Sequence, residues 1–511
     1  MPSPSSPMII MEPGYSGQRK SNVLELSGRI SSSPDRKRSA SSSVFPQTVP
    51  PRLSPSSSST VAGDDSFSHY TMSRPNTPSN PNQRSGIQIS WNKSITSATS
   101  VSDITDLMYL YGSHFNAVNI ATSLHRLASQ FRFDVRRYAE AIRIVLDRAR
   151  ETNFEGFSPR ELANVVWAMA KTEMPCKEEV FNHVSRKAIT SFSDADYTPQ
   201  AIANLLWGMA KAGYPNAALF EHLSGIAVRS GLRGFNAQNL SNSLWALSTA
   251  QLPNGQLFNM IGDFIVAEHN NLKGFSPQNM ANAVWAMAKV NLPHVELFDL
   301  ISLKASESRL SGFKPQEIAN LVWAMSVCRL TKVDLLYEVL REIKSLNEWK
   351  PQEIANLVWA VAVGRDIDST GFAKLIDKSM AQAEFLSMVI DEVDRRSITG
   401  WKPTELSNLI YGMVFGLELN DPNCPLIHSV LTKVRRENGF GDWKQNELTN
   451  FVAALVELNA VDGEVLTFIA LRAAELYGQE PVAANLVAPT LGDEGDLTAQ
   501  QLPLDIDLLI Q

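Results

Sequence analysis

One phrase governs what this chain can fold into. Phe313-Lys-Pro-Gln-Glu-Ile-Ala-Asn-Leu-Val-Trp-Ala-Met325 returns as Trp349-Lys-Pro-Gln-Glu-Ile-Ala-Asn-Leu-Val-Trp-Ala-Val361, and looser copies run through the sequence. The Asn of the phrase falls at Asn164, Asn204, Asn242, Asn282, Asn320, Asn356, Asn408 and Asn450, in steps of 40, 38, 40, 38, 36, 52 and 42 residues. That period is the length of one helical hairpin, a unit that hides its apolar face only by stacking on its neighbours. A ninth, degenerate copy lies upstream. Phe115-Asn-Ala-Val-Asn-Ile-Ala-Thr-Ser-Leu-His-Arg-Leu127 overlays the later units with Thr122 in place of Asn and His125 in place of Trp, as a terminal cap would.

Local chemistry agrees with helices. Units open on an aromatic, a capping residue and usually Pro, as in Phe157-Ser158-Pro159, Tyr197-Thr198-Pro199 and Phe275-Ser276-Pro277. Ser or Thr at the N-cap with Pro in the first turn starts a helix. In the first of these Glu161 completes a capping box. Apolar residues such as Leu162, Val165, Val166 and Met169 follow at helical spacing. Pro175, Pro215, Pro253 and Pro293 then break the chain before a second apolar helix. The fold expected is all-α: an α-solenoid, or superhelix, of about nine helix-turn-helix repeats of 36–42 residues. The step of 52 residues places an insertion near 372–397, read as a lengthened second helix or an added short third one.

Composition divides the 511 residues into three parts. Residues 1–100 are crowded with Ser and Pro and carry 10 basic against 5 acidic residues, too little apolar surface to order. They read as a disordered arm, either a targeting segment of organelle-transit composition or a phosphorylatable tail. Residues 101–478 are the repeats. Residues 479–511 hold six acids and no base and end in the apolar run from Leu502 to Ile510, a flexible acidic tail offering a docking segment to a protein partner. Removing both arms leaves 36 basic against 42 acidic residues, which argues against sequence-blind coating of nucleic acid. Cys176, Cys328 and Cys424 have no paired spacing, so neither a disulfide framework nor a metal site is expected. No apolar run is long enough to span a membrane. With no histidine pattern for a metal and no phosphate loop, no cofactor and no enzymatic activity are expected.

Four sets of residues are singled out. Trp167, Trp207, Trp245, Trp285, Trp323 and Trp359, three residues after the Asn, read as core, filling the gap to the second-helix layer beside small neighbours such as Ala163 and Gly208. Four residues before the Asn stand Arg160, Gln200, Gln238, Gln278, Gln316, Gln352, Thr404 and Asn446. This spacing puts them on the face of the Asn, and amides on such a face suit base edges. The Asn ladder itself reads mainly as a bond between helix backbones of successive repeats. The cap positions Ser158, Thr198, Asn236 and Ser276 give way to Lys314, Lys350, Lys402 and Lys444. These are either a column of phosphate contacts at helix N-termini or solvated lysines whose helices are capped by the Glu three residues on.

The phrase and its period resemble the octotricopeptide-type helical repeats of organelle proteins and the related repeats of FAST-kinase-domain proteins, over roughly residues 115–478. The resemblance implies binding of single-stranded RNA in a mitochondrion or plastid, with effects on transcript stability, processing or translation. The residues after Gly478 are too few for the small nuclease-like domain that often ends such proteins, so a binding adaptor is implied. The alternative is a scaffold that grips a peptide or helix in a concave groove, located in the cytoplasm if the arm does not direct import.

Overall fold

A computed structural model describes residues 81–130, 135–172, 178–268, 272–375, 381–437 and 439–477. The Ser/Pro-rich arm up to residue 80, Cys176 and the acidic tail lie outside them. The chain from Ile87 onward forms one compact unit, and residues 81–86 belong to another.

Every described element is helical. α1 (Pro81–Ser97) and α2 (Val101–Tyr111) come first, within and just after the stretch expected to be disordered up to residue 100. Ile95 is fully buried, and Trp91 lies against Tyr111 and Phe115 with ring centroids 5.4 and 5.7 Å apart. Ser100 caps α2 through a complete capping box with Asp103. The arm's Ser-rich composition hid α1, because Trp91 and Ile95 are isolated among polar residues, whereas α2 falls within the stretch 101–478 expected to be helical.

Nine hairpins follow among the described residues. Their first helices are α3 (Ala117–Gln130), α5 (Pro159–Thr172), α7 (Pro199–Lys211), α9 (Ala237–Thr249), α11 (Pro277–Lys289), α13 (Pro315–Val327), α15 (Pro351–Ile367), α18 (Pro403–Phe415) and α20 (Gln445–Glu457). Their second helices are α4 (Val135–Glu151), α6 (Glu178–Thr190), α8 (Ala217–Arg229), α10 (Gly255–Glu268), α12 (Val295–Glu307), α14 (Val333–Glu342), α17 (Ala381–Arg396), α19 (Pro425–Arg436) and α21 (Gly463–Tyr477). Each first helix packs on the first helix of the next unit, and the second helices form a parallel row behind them. This is the α-solenoid that the period predicts.

The corners repeat as regularly as the helices. After the first helices Gln251, Asn291 and Arg329 take left-handed backbone angles, and the following residue bonds back five positions, as in Leu292 N–H to Met287 O at 2.9 Å. This is the Schellman closure. The second helices close the same way: Phe154, Leu232 and Leu310 sit at φ of 53°, 58° and 57° and turn their side chains into the core. Between the rows lie Phe181, Phe220, Phe258 and Phe298, at most 2% exposed. Each contributes about 1.5–3 kcal/mol of burial.

The 52-residue step resolves into an extra short helix, α16 (Ser369–Leu375), placed before the true second helix α17. Arg396 of α17 donates to the carbonyls of Trp349 and, at 2.7 Å, Leu346, at the opening of its own unit. Arg472 of α21 holds the carbonyl of Trp443 in the same way, at 2.7 and 2.9 Å. The shared clasp identifies α17 as the regular member and α16 as the addition.

First helices touch through small residues. A Cβ on Gly412 of α18 would lie 2.4 Å from the Val358 carbonyl group of α15, and one on Gly208 of α7 would lie 2.5 Å from the Val166 side chain of α5. Backbone cannot yield as a side-chain tip can, so Gly412→Ala should separate α15 from α18. A destabilisation of about 1–3 kcal/mol is expected, read as a lower urea midpoint. An unchanged midpoint would show that the two helices pack loosely.

Candidate functional site

Three cross-repeat hydrogen bonds that involve a serine show how the first helices are aligned. Asn279 Nδ2 of α11 donates to Ser241 Oγ of α9 at 3.0 Å, Ser407 Oγ of α18 to Glu447 O of α20 at 2.7 Å, and Ser326 Oγ of α13 to Ala360 O of α15 at 3.3 Å. In the first two, the residue just before the repeat Asn meets the residue three before the next repeat Asn. The first helices therefore run parallel and in register. At roughly 100° per residue, the flanks making these contacts and the core flank carrying Leu162, Val166, Met169 and their counterparts leave one face over. That open face points away from the second-helix row. It carries the residue four before the Asn, the Asn, the Trp three after it and the residue seven after it, all within roughly 60° on the helical wheel.

The face is rich in unused hydrogen-bonding groups. Arg160, Gln200, Gln238, Gln278 and Gln316 are exposed and Gln352 is half-buried. Their side chains make no hydrogen bond among the described residues. Asn164, Asn204, Asn242, Asn282 and Asn320 are half-buried, and Asn356 and Asn408 are buried. None of these seven side-chain amides is bonded to a neighbouring repeat among the described residues, so the expected role of the Asn ladder as a bond between backbones is not what holds the stack. The side-chain bonds between successive first helices are made by Ser241, Ser326, Ser407 and Thr404, whose hydroxyl donates to the Glu447 carboxylate. Asn408 Oδ1 is buried without a hydrogen-bond partner, an uncompensated desolvation of about 1–3 kcal/mol.

The tryptophans meet the expectation of burial in half of the repeats and depart from it in position. They stand on the open face and do not fill the gap to the second row. Trp285, Trp323 and Trp359 are buried there, and Trp167, Trp207 and Trp245 are half-buried against the core. His125 stacks on Trp167 with centroids 4.6 Å apart, and Trp207 tilts against Trp245 at 6.2 Å. Lys171 Nζ lies between Trp167 and Trp207, 5.8 and 5.7 Å from their centroids, and Lys289 Nζ lies 5.0 Å from Trp285. Lys171 and Lys289 stand seven residues after the Asn. Their cation–aromatic role was open to reading, because positions three and seven after the Asn are one helical turn apart.

Lys314, Lys350, Lys402 and Lys444 are exposed N-caps of α13, α15, α18 and α20. Their backbone N–H groups donate to Glu317, Glu353, Glu405 and Glu447, each at 2.9 Å. The box is one-sided, since an ammonium has no lone pair with which to return the bond. Lys350 Nζ lies 3.7 Å from Glu353 Oε1, and the other three ammonium groups are unpaired among the described residues. Burial pushes the Glu405 carboxyl above its usual range, opposed by the Lys402 N–H and charge.

At the amino-terminal end the open face deepens into a trough of about 320 Å³. Thr122 and His125 of α3, Arg160 and Asn164 of α5, and Gln200 and Asn204 of α7 line it. Asn92 and Thr96 of α1 wall its far side. The described residues contain no cluster of metal-ligating side chains and no helix long and apolar enough to cross a membrane. Cys424 is buried, and burial lifts the half-buried Cys328 thiol to about 12.

Residues 113–364, just under half of the chain, match the family model of the RNA-editing substrate-binding complex 6 protein. This is a different family from those that the repeat phrase resembles. No curated protein matches the chain.

The lysines contribute charge and no side-chain cap. Replacing Lys314 and Lys350 by Ser supplies the missing acceptor and should stabilise by about 0.5–1 kcal/mol each, raising the urea midpoint. A lower midpoint would mean that the lysine side chains themselves support the fold.

Proposed function

We propose that the chain is a single-stranded RNA-binding helical repeat protein of organellar RNA metabolism, in a mitochondrion or plastid, holding transcripts for processing, stabilisation or translation. It acts by binding and performs no chemistry on the RNA. The observation that carries this reading is the row of amides on the open face. Asn and Gln side chains that the fold leaves unbonded recur at one register on parallel neighbouring helices, as a ligand with a repeating unit requires. The half-buried Trp167, Trp207 and Trp245 leave part of their ring surface beside the amides for stacking. The match to a family named for substrate binding in RNA editing supports both the ligand class and the organellar setting.

Charge is local. Lys314, Lys350, Lys402 and Lys444 line up at the N-terminal edge of the later first helices, where helix dipoles also favour phosphate. The repeats as a whole are slightly acidic, so affinity must come from this edge together with the amide row.

Titrating the full chain with single-stranded and duplex RNA across salt separates the parts. Single strands should bind more tightly. Changing the four lysines to Ala should flatten the slope of log K against log salt by about 0.7 for each phosphate that a lysine had neutralised. Changing Gln200, Gln238 and Gln278 to Ala should weaken binding at an unchanged slope. A slope indifferent to the lysines removes the phosphate track, and no affinity for either form removes the RNA reading in favour of a protein scaffold.

A further inference from the structure

The trough lies where the first repeat is atypical. Where later units carry Trp and Asn, α3 carries the smaller His125 and Thr122, which is close to Asn in volume, and together with residues of α1, α5 and α7 they border a trough of about 320 Å³. That volume is at the small end of sites that enclose a ligand, suited to one nucleotide and not to a helix or a folded partner.

Its chemistry is almost uncharged. The His125 ring is exposed yet stacked on Trp167, and partial desolvation holds its imidazole below the usual range; the neutral ring offers one donor and one acceptor. Arg160 is the one charged side chain of the lining. The rest of the polar lining is amide and hydroxyl, and Asn92 Oδ1 is buried with no hydrogen-bond partner. Neutral donors and acceptors match the edge of a base better than a phosphate. Asn and Gln pair with the donor–acceptor edge of adenine and Arg with the two acceptors of guanine, so the set suits a purine. Stacking is provided by His125, itself backed by Trp167 at 4.6 Å.

We propose that this trough seats one purine of single-stranded RNA and selects it by its hydrogen-bonding edge, making the amino-terminal end of the track the part that discriminates sequence. The proposal rests on the RNA-binding reading above. A purine preference at one position would follow from His125, Thr122 and the amides around them, whereas the later repeats close the same place with an indole.

The test uses the full chain and a random single-stranded RNA pool, selected and sequenced, followed by binding to oligonucleotides carrying a purine or a pyrimidine at the enriched position. One position should enrich for purine, with about tenfold weaker binding of the pyrimidine form. His125→Trp, which installs the residue used by six other repeats, should bring that ratio close to one. Gln200→Ala, an exposed change that leaves packing alone, should lower the same ratio and serves if the first variant misfolds. RNA binding with no purine-selective position, or a ratio unmoved in both variants, overturns the proposal and leaves the RNA reading standing. Absence of RNA binding overturns both.

Discussion

Close approach of parallel helices is the constraint on which the rest depends. Ala163, Gly208, Ala246, Ala286, Ala324 and Gly412 bring the backbones of successive first helices together, and at Gly208 and Gly412 even a methyl group would collide. Helices this close keep a fixed rotation about their own axes. Whatever occupies a given wheel position in one repeat therefore lies beside its counterpart in the next. The amide row, the tryptophans and the cations above them are consequences of that packing, in the way that teeth on meshed gears share a phase.

The architecture was open to reading because it is written redundantly. Eight Asn at nearly constant steps, each preceded by an aromatic and a cap, leave little freedom in helix start, length or partner, and α5 through α21 follow. Facing was harder to read. Apolar residues surround each tryptophan in sequence, so burial against the second row was the natural assignment, yet the wheel angle of Trp167 puts it with Asn164 and Arg160. An indole is large enough to be half-buried on either side of a helix, and only its angle decides. The Asn ladder misled for a related reason. An amide repeated without variation suggests a structural bond, but the bonds are made by Ser241, Ser326 and Ser407, which look like ordinary small spacers, and by Thr404. Helix α1 escaped because Trp91 and Ile95, alone in a Ser-rich stretch, form no visible period, and the trough escaped with it, since Asn92 and Thr96 close it.

The open face changes character along the stack. Toward the amino end it offers half-buried tryptophans, Lys171 set between two of them and the trough. Toward the carboxyl end the indoles are covered, and positive charge moves to the capping edge at Lys314, Lys350, Lys402 and Lys444. Glu317, Glu353, Glu405 and Glu447 make the shift possible. By bonding the cap's own N–H they keep one half of the capping box where the cap residue has no oxygen. Charge at these four positions therefore costs only the side-chain acceptor that a Ser would have offered to the first-turn N–H groups.

The added helix α16 sits on one side of the molecule only. It packs against α14 and α15 while α14 still meets α17 directly, so the rear row keeps its membership and α15 and α18 stay pressed together in front. An insertion of this length is therefore absorbed outside the two rows, and the spacing of the front helices passes through it undisturbed.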